Sequence, residues 1–77
     1  MLLMGIGENV IKLREAKNWS QQDLEEASKV PQSSISRIEK GLLRNPGVET
    51  VRKLATALNV SVAELLEEET SAKAVGE

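Results

Sequence analysis

The chain has 77 residues, which is room for one domain around a single core, and its formal net charge is −2. It contains no Cys and no His, so thiol and imidazole chemistry and the usual transition-metal ligands are excluded. Its one aromatic residue, Trp19, cannot build the stacking platforms that bind single-stranded nucleic acids. We therefore expect no enzyme activity, no cofactor, no metal site and no small-molecule substrate.

The first predicted helix runs from about Ile6 to Lys17, because Ile6, Val10 and Leu13 recur at helical spacing. Charged residues occupy positions between them, so we expect one face of this helix to lie in the core. Asn18 follows as a C-terminal stop, since Asn tolerates the left-handed backbone conformation that ends many helices.

Ser20 and Asp23 mark the start of a second predicted helix, because a Ser followed three residues later by an acid is the pattern of a capping box. This helix extends to about Ser28. Its apolar face is predicted to consist of Leu24 and Ala27.

A third helix is predicted from Gln32 to about Lys40. Pro31 is compatible with its first turn, and Gly41 is placed to end it. Residues 29–31 alone separate it from the second helix, and two short helices at this spacing form a helix-turn-helix.

The fourth predicted helix spans about Val48 to Leu58 and is followed by Asn59 as a C-terminal stop. Its apolar stripe consists of Val48, Val51, Leu54, Ala55 and Leu58. Ser61 and Glu64 form a second capping-box pattern, which predicts a fifth helix that ends near Glu68.

Five short helices without strand-like alternation predict a compact all-α domain over residues 1–69, and residues 70–77 are predicted to be a disordered tail. No apolar run reaches the roughly 18 residues that a membrane-spanning helix needs. The apolar residues 1–4 are too few for a signal-peptide core. A soluble cytoplasmic protein that does not bind membranes is the expectation.

The third helix has two chemically different faces. Ile35 and Ile38 lie on one side, which is expected to be the core side, and the opposite side is small, polar and basic. Amide and guanidinium groups make paired hydrogen bonds to adenine and guanine in the major groove of DNA. From this pattern alone, a DNA-reading surface and an ordinary solvated surface are about equally supported.

The charge distribution is compatible with such a surface. Residues 1–60 carry a net charge of +2, whereas residues 61–77 carry a net charge of −4. We expect the acidic C-terminal part to lie away from any bound phosphates, which would repel it.

The stretch WSQQDLEEASKVPQSSISRIEKG, residues 19–41, closely resembles the helix-turn-helix of the phage-repressor-like (Xre/Cro) family. The similarity continues through RNPGVETVRKLATALNVSVAELL, residues 44–66, and the first predicted helix carries Leu13 and Arg14 where the family pattern has them. The resemblance covers about residues 5–67. It implies a five-helix, lambda-repressor-like domain that binds double-stranded DNA and regulates transcription, in most cases as a repressor.

The resemblance also implies residue roles. The residues expected to contact base edges are Gln32, Ser33, Ser36 and Arg37. Those expected to contact phosphates are Gln21, Lys40, Arg44 and Asn45. Arg14 and Glu39 match a pair that forms a salt bridge between the first and third helices in the family.

A homodimer on a two-fold symmetric operator is a further implication, with the fifth helix as the dimer contact. The alternative is a protein-interaction module or antitoxin-like partner protein on the same fold. The sequence departs from the family pattern at Glu25, at Lys29, where Gly is usual, and at Pro31, which replaces a common Ser cap. Lys29 is expected to need a left-handed backbone, at a cost of about 1 kcal/mol.

Overall fold

The computed structural model describes residues 5–43 and 45–66, and these form five α-helices without a strand. The helices are α1 (Gly5–Ala16), α2 (Gln21–Ser28), α3 (Gln32–Glu39), α4 (Val48–Leu58) and α5 (Val62–Leu66). The all-α, five-helix expectation is confirmed. The predicted tail at residues 70–77 and the expected end of the fifth helix near Glu68 lie outside the described residues.

Local signals set the helix boundaries as predicted. At α2 the Ser20 hydroxyl accepts from the Asp23 amide at 3.0 Å, and the Asp23 carboxylate accepts from the Ser20 amide at 2.8 Å. Ser61 and Glu64 make the same reciprocal pair before α5, at 3.0 and 2.9 Å. Each box satisfies backbone donors that the first helical turn would otherwise leave unpaired.

The turn between α2 and α3 has the strained backbone that the family resemblance implies at Lys29. Lys29 has φ +70° and ψ 20°, a left-handed conformation that L-residues with a side chain adopt at a cost of about 1 kcal/mol. Its amide donates to the Glu25 carbonyl at 2.8 Å and so closes α2. Pro31 precedes α3 without a side-chain cap, as expected.

One core joins all five helices. Its fully or nearly buried members are Ile6, Val10, Leu24, Val30, Ile35, Ile38, Val51, Leu54, Ala55, Leu58 and Leu65. Leu13 and Trp19 pack against this core while half-buried. The Asn9 side chain also ties α1 to α5, because its Nδ2 donates to the Leu65 carbonyl at 2.7 Å.

Two burial predictions are wrong. Ala27 is exposed, and Ser28 is buried in its place because it follows Leu24 by four residues and shares its side of α2. The Ser28 hydroxyl accepts from the Val30 amide at 3.1 Å, so the buried oxygen is paired. Val48 was expected in the α4 stripe but is 71% exposed, because it lies in the first turn of α4, beyond the edge of the core.

α1 approaches α3 closely at Gly7. A Cβ atom at this position would collide with the Ile38 carbonyl oxygen and lie 3.3 Å from the Glu39 Cα. Both neighbours are backbone atoms, so a rotamer change cannot relieve the collision. Within residues 5–43 and 45–66, no helix is long and apolar enough to cross a membrane.

Candidate nucleic-acid interface

The outer face of α3 is polar and open to solvent. Gln32, Ser33 and Arg37 are exposed, and Ser36 is half-buried. The opposite side packs into the core through Ile35 and Ile38, which are 0% and 1% exposed. The fold therefore presents the four predicted base-contacting side chains on a helix whose other face anchors it to the domain.

Two of the four predicted phosphate-contacting residues, Gln21 and Lys40, lie next to this face, whereas Asn45 lines a groove between α4 and α5. Gln21 is half-buried in the first turn of α2, Lys40 is exposed immediately after α3, and Asn45 is exposed in the loop before α4. Gly47 is the N-cap residue of α4 and offers no side-chain cap, so the amides of the first turn are available to an anion. Arg44 lies outside the described residues.

Arg14 and Glu39 form a bidentate ion pair between α1 and the end of α3. Arg14 donates through Nε to Oε2 at 2.8 Å and through Nη2 to Oε1 at 3.0 Å, and its Nη1 donates to the Trp19 carbonyl at 2.8 Å. The two side chains are only 14% and 4% exposed. The hydrogen bond to Glu39 raises the pKa of Arg14 above its ordinary value, and burial partly opposes this shift.

The ion pair is one end of a longer chain of hydrogen bonds. Gln21 donates through Nε2 to the Glu39 Oε1 at 2.8 Å, and Gln32 donates through Nε2 to the Gln21 Oε1 at 3.4 Å. This series of hydrogen bonds thus connects α1, the end of α3 and the start of α2 to the base-facing Gln32. Sequence reasoning missed the bond between Gln21 and Glu39, because these residues are 18 positions apart and neither carries a local signal for it.

The polar groups of the site are satisfied. Among the described residues, every buried side-chain nitrogen or oxygen has a hydrogen-bond partner. Because Arg14 neutralises the Glu39 carboxylate, the charges that α3 and its cap turn toward solvent are those of Arg37 and Lys40. Such a surface attracts an anion and offers donors to base edges.

Two short helices joined by a three-residue turn, with a polar outer face on the second, define a helix-turn-helix domain. A helix-turn-helix family model matches residues 10–65. The chain belongs to this helix-turn-helix family.

Curated relatives support the assignment. The chain is 36% identical over 63 residues to the HTH-type transcriptional regulator SinR of Bacillus subtilis (strain 168), a match covering 82% of this chain and 57% of SinR. It is 41% identical over 61 residues to an uncharacterized HTH-type transcriptional regulator, y4dJ, of Sinorhizobium fredii, covering 79% of this chain and 78% of y4dJ. This chain thus spans little more than half the length of SinR.

A solved structure of SinR, the master regulator for biofilm formation, in complex with DNA superposes with a TM-score of 0.77 at 35% identity. The match covers 80% of this chain and 98% of that one. The likeness therefore extends over most of this chain and nearly all of that one.

Proposed function

We propose that this chain binds double-stranded DNA sequence-specifically and regulates transcription, with α3 in the major groove. The observation that supports this most directly is the exposed polar face of α3, held to the domain by its buried face and by the Arg14–Glu39 ion pair. A repressor is the simplest form of regulator, because a bound domain blocks access to its site without any further surface. We place this activity in the cytoplasm, where the related bacterial regulators would meet their DNA.

Base recognition is assigned to the residues on the outer face of α3. In this proposal the Arg37 guanidinium pairs with guanine O6 and N7, and the Gln32 amide pairs with adenine N6 and N7. Ser33 and Ser36 are small, which allows α3 to approach the bases, and their hydroxyls both donate and accept.

Phosphate contacts are assigned to residues at the edges of that face. Lys40 supplies a charge at the end of α3, and Gln21 retains one amide hydrogen after its bond to Glu39. Asn45 and the uncapped first turn of α4 form another contact, with Arg44 next to it in sequence. These contacts would position α3 in the groove without reading sequence.

A second copy of the chain completes the proposed binding unit. Val48, Val62 and Leu66 are exposed apolar side chains that line one open groove of about 240 Å³ with Ile6 and Pro46. Asn45 lines the same groove, so a two-fold axis at α5 would cover its Val62 and Leu66 side and leave the Asn45 side to the DNA. Such a dimer would place two α3 helices on half-sites about 34 Å apart. A stable interface removes about 800 Å² from each partner, more than a few side chains expose, so we expect weak dimers that DNA stabilises.

Arg37→Ala tests the base-reading assignment. On the best duplex selected from a random pool, we expect it to cost about 1–3 kcal/mol of binding free energy and to relax the preference at one base pair. Arg52→Ala is the matched control, because Arg52 is an exposed arginine on α4 and its removal changes the charge equally. An Arg37→Ala protein that keeps the wild-type motif with the same discrimination would contradict the assignment.

A further inference from the structure

We infer that Glu39 is a positioning residue for base recognition. Its hydrogen bond with Gln21 fixes the orientation of the Gln21 amide, which in turn fixes the orientation of the Gln32 amide. The orientation of the Gln32 amide determines which base Gln32 reads. This inference rests on the proposed DNA-binding function. It goes beyond a structural role for the ion pair, because it predicts an effect on sequence preference at one base pair.

The direction of the hydrogen-bond chain follows from the charge of Glu39. An ionised carboxylate only accepts hydrogen bonds, and this one accepts two from Arg14, at 2.8 and 3.0 Å. Gln21 must therefore turn its Nε2 toward Glu39, as it does at 2.8 Å. The opposite orientation would bring the Gln21 Oε1 against a carboxylate that is 4% exposed, with little water to separate the two oxygens.

The orientation of Gln21 then determines that of Gln32. Because the Gln21 Nε2 faces Glu39, its Oε1 faces Gln32 and accepts a hydrogen from the Gln32 Nε2 at 3.4 Å. One N–H and the Oε1 of Gln32 remain for DNA, and this donor–acceptor pair matches N7 and N6 of adenine.

If the directions of these hydrogen bonds were reversed, Gln32 would read a different base. With Gln21 turned over, Gln32 would accept from it through Oε1 and present two N–H donors to the groove. Two donors match O6 and N7 of guanine instead of adenine. The negative charge at position 39, which does not touch DNA, thus selects between the two readings.

Glu39→Gln removes the negative charge that fixes the direction of the hydrogen bonds from Gln32 through Gln21, and it nearly preserves the shape of the side chain. An amide at position 39 both donates and accepts, so Gln21 and Gln32 become free to adopt either orientation. Gln21→Met breaks the chain at its middle and leaves the Arg14–Glu39 pair in place. Glu8→Gln is the matched control, because Glu8 is an exposed acid in the first turn of α1, to which the proposal assigns no DNA contact.

The experiment is selection from random duplexes with the full chain, each bound pool being sequenced. Gln32→Ala identifies the base pair that Gln32 reads, and Arg37→Ala identifies a reference base pair. We expect both Glu39→Gln and Gln21→Met to reduce the preference for adenine over guanine at the first pair by about fivefold or more. The preference at the reference pair should change by less than about twofold, as should both preferences in Glu8→Gln.

Two results would overturn the inference. One is an unchanged preference in Gln21→Met at the base pair that Gln32 reads. This result would overturn the inference even if the Glu39→Gln protein does not fold. The other is an equal loss of preference at both pairs, which indicates a merely structural role. A wild-type pool without any motif would instead refute the proposed function itself, and the inference with it.

Discussion

Because α1 packs closely on α3 at Gly7, we expect Gly7→Ala to destabilise the protein, although helix propensity alone would predict stabilisation. Gly7 lies inside α1, where replacement of Gly by Ala stabilises an exposed helix by about 1 kcal/mol. In this protein the added methyl group meets the carbonyl of Ile38 and the Cα of Glu39. The two helices must therefore separate, or α3 must shift.

The magnitude follows from these opposing terms. Overpacking costs about 1–3 kcal/mol, and backbone atoms cannot rotate away, so the upper part of that range applies. After subtraction of the propensity gain, we expect Gly7→Ala to lower the free energy of unfolding by about 2 kcal/mol. For a domain of this size that corresponds to a decrease in Tm of roughly 8–16 °C.

Urea unfolding monitored by circular dichroism and by the fluorescence of Trp19 measures this change. Gly47→Ala is the control, because a Cβ atom there has no other atom within 4 Å. As an N-cap change it should cost only about 0.5 kcal/mol. A Gly7→Ala protein as stable as wild type, or more stable, would refute the close approach of α1 and α3.

Two further predictions concern exposed lysines. Lys29→Gly should raise the free energy of unfolding, measured by urea titration, by about 1 kcal/mol, because Gly adopts the left-handed backbone without strain. The control Lys53→Gly, inside α4, should lower it by a similar amount. A destabilised Lys29→Gly protein would contradict the strain argument. Lys40→Ala should weaken binding to all duplexes about equally and flatten the slope of log affinity against log salt by about one, and Lys53→Ala should leave the slope unchanged. An unaltered slope in Lys40→Ala would remove this residue from the phosphate contacts.

Helix boundaries were predictable because the signals that set them are local. The capping box of Ser20 and Asp23 spans four residues, and Asn59 ends α4 with its own left-handed backbone, φ +63°. The left-handed backbone of Lys29 was expected from the family resemblance, because Gly is usual in the family at this position. Each of these features depends on residues within one helical turn of one another.

Burial at helix edges was less predictable because it depends on the neighbouring helices. Ala27 is the more apolar residue, but the direction of α2 in the core buries Ser28 instead, with its hydroxyl paired to Val30. Val48 continues the α4 periodicity, yet the core ends before it. Periodicity identifies a face, whereas tertiary packing determines where that face stops being covered.

The candidate site was likewise predictable from the sequence only where its features are local. The spacing of Ile35 and Ile38 was enough to place Arg37 on the outer face of α3, with Gln32 at its N-terminal edge. The bond from Gln21 to Glu39 joins two helices, and no motif in one sequence encodes it. The connection that could set base preference therefore required the three-dimensional structure.

Selection of random duplex DNA by the purified chain, with bound pools sequenced at low and moderate salt, tests the proposed function most directly. We predict a two-fold symmetric motif with half-sites about 34 Å apart, and retention that decreases steeply as salt increases. Retention without a motif would contradict sequence-specific recognition by α3. No retention even at low salt would contradict DNA binding altogether and favour a protein partner for this domain.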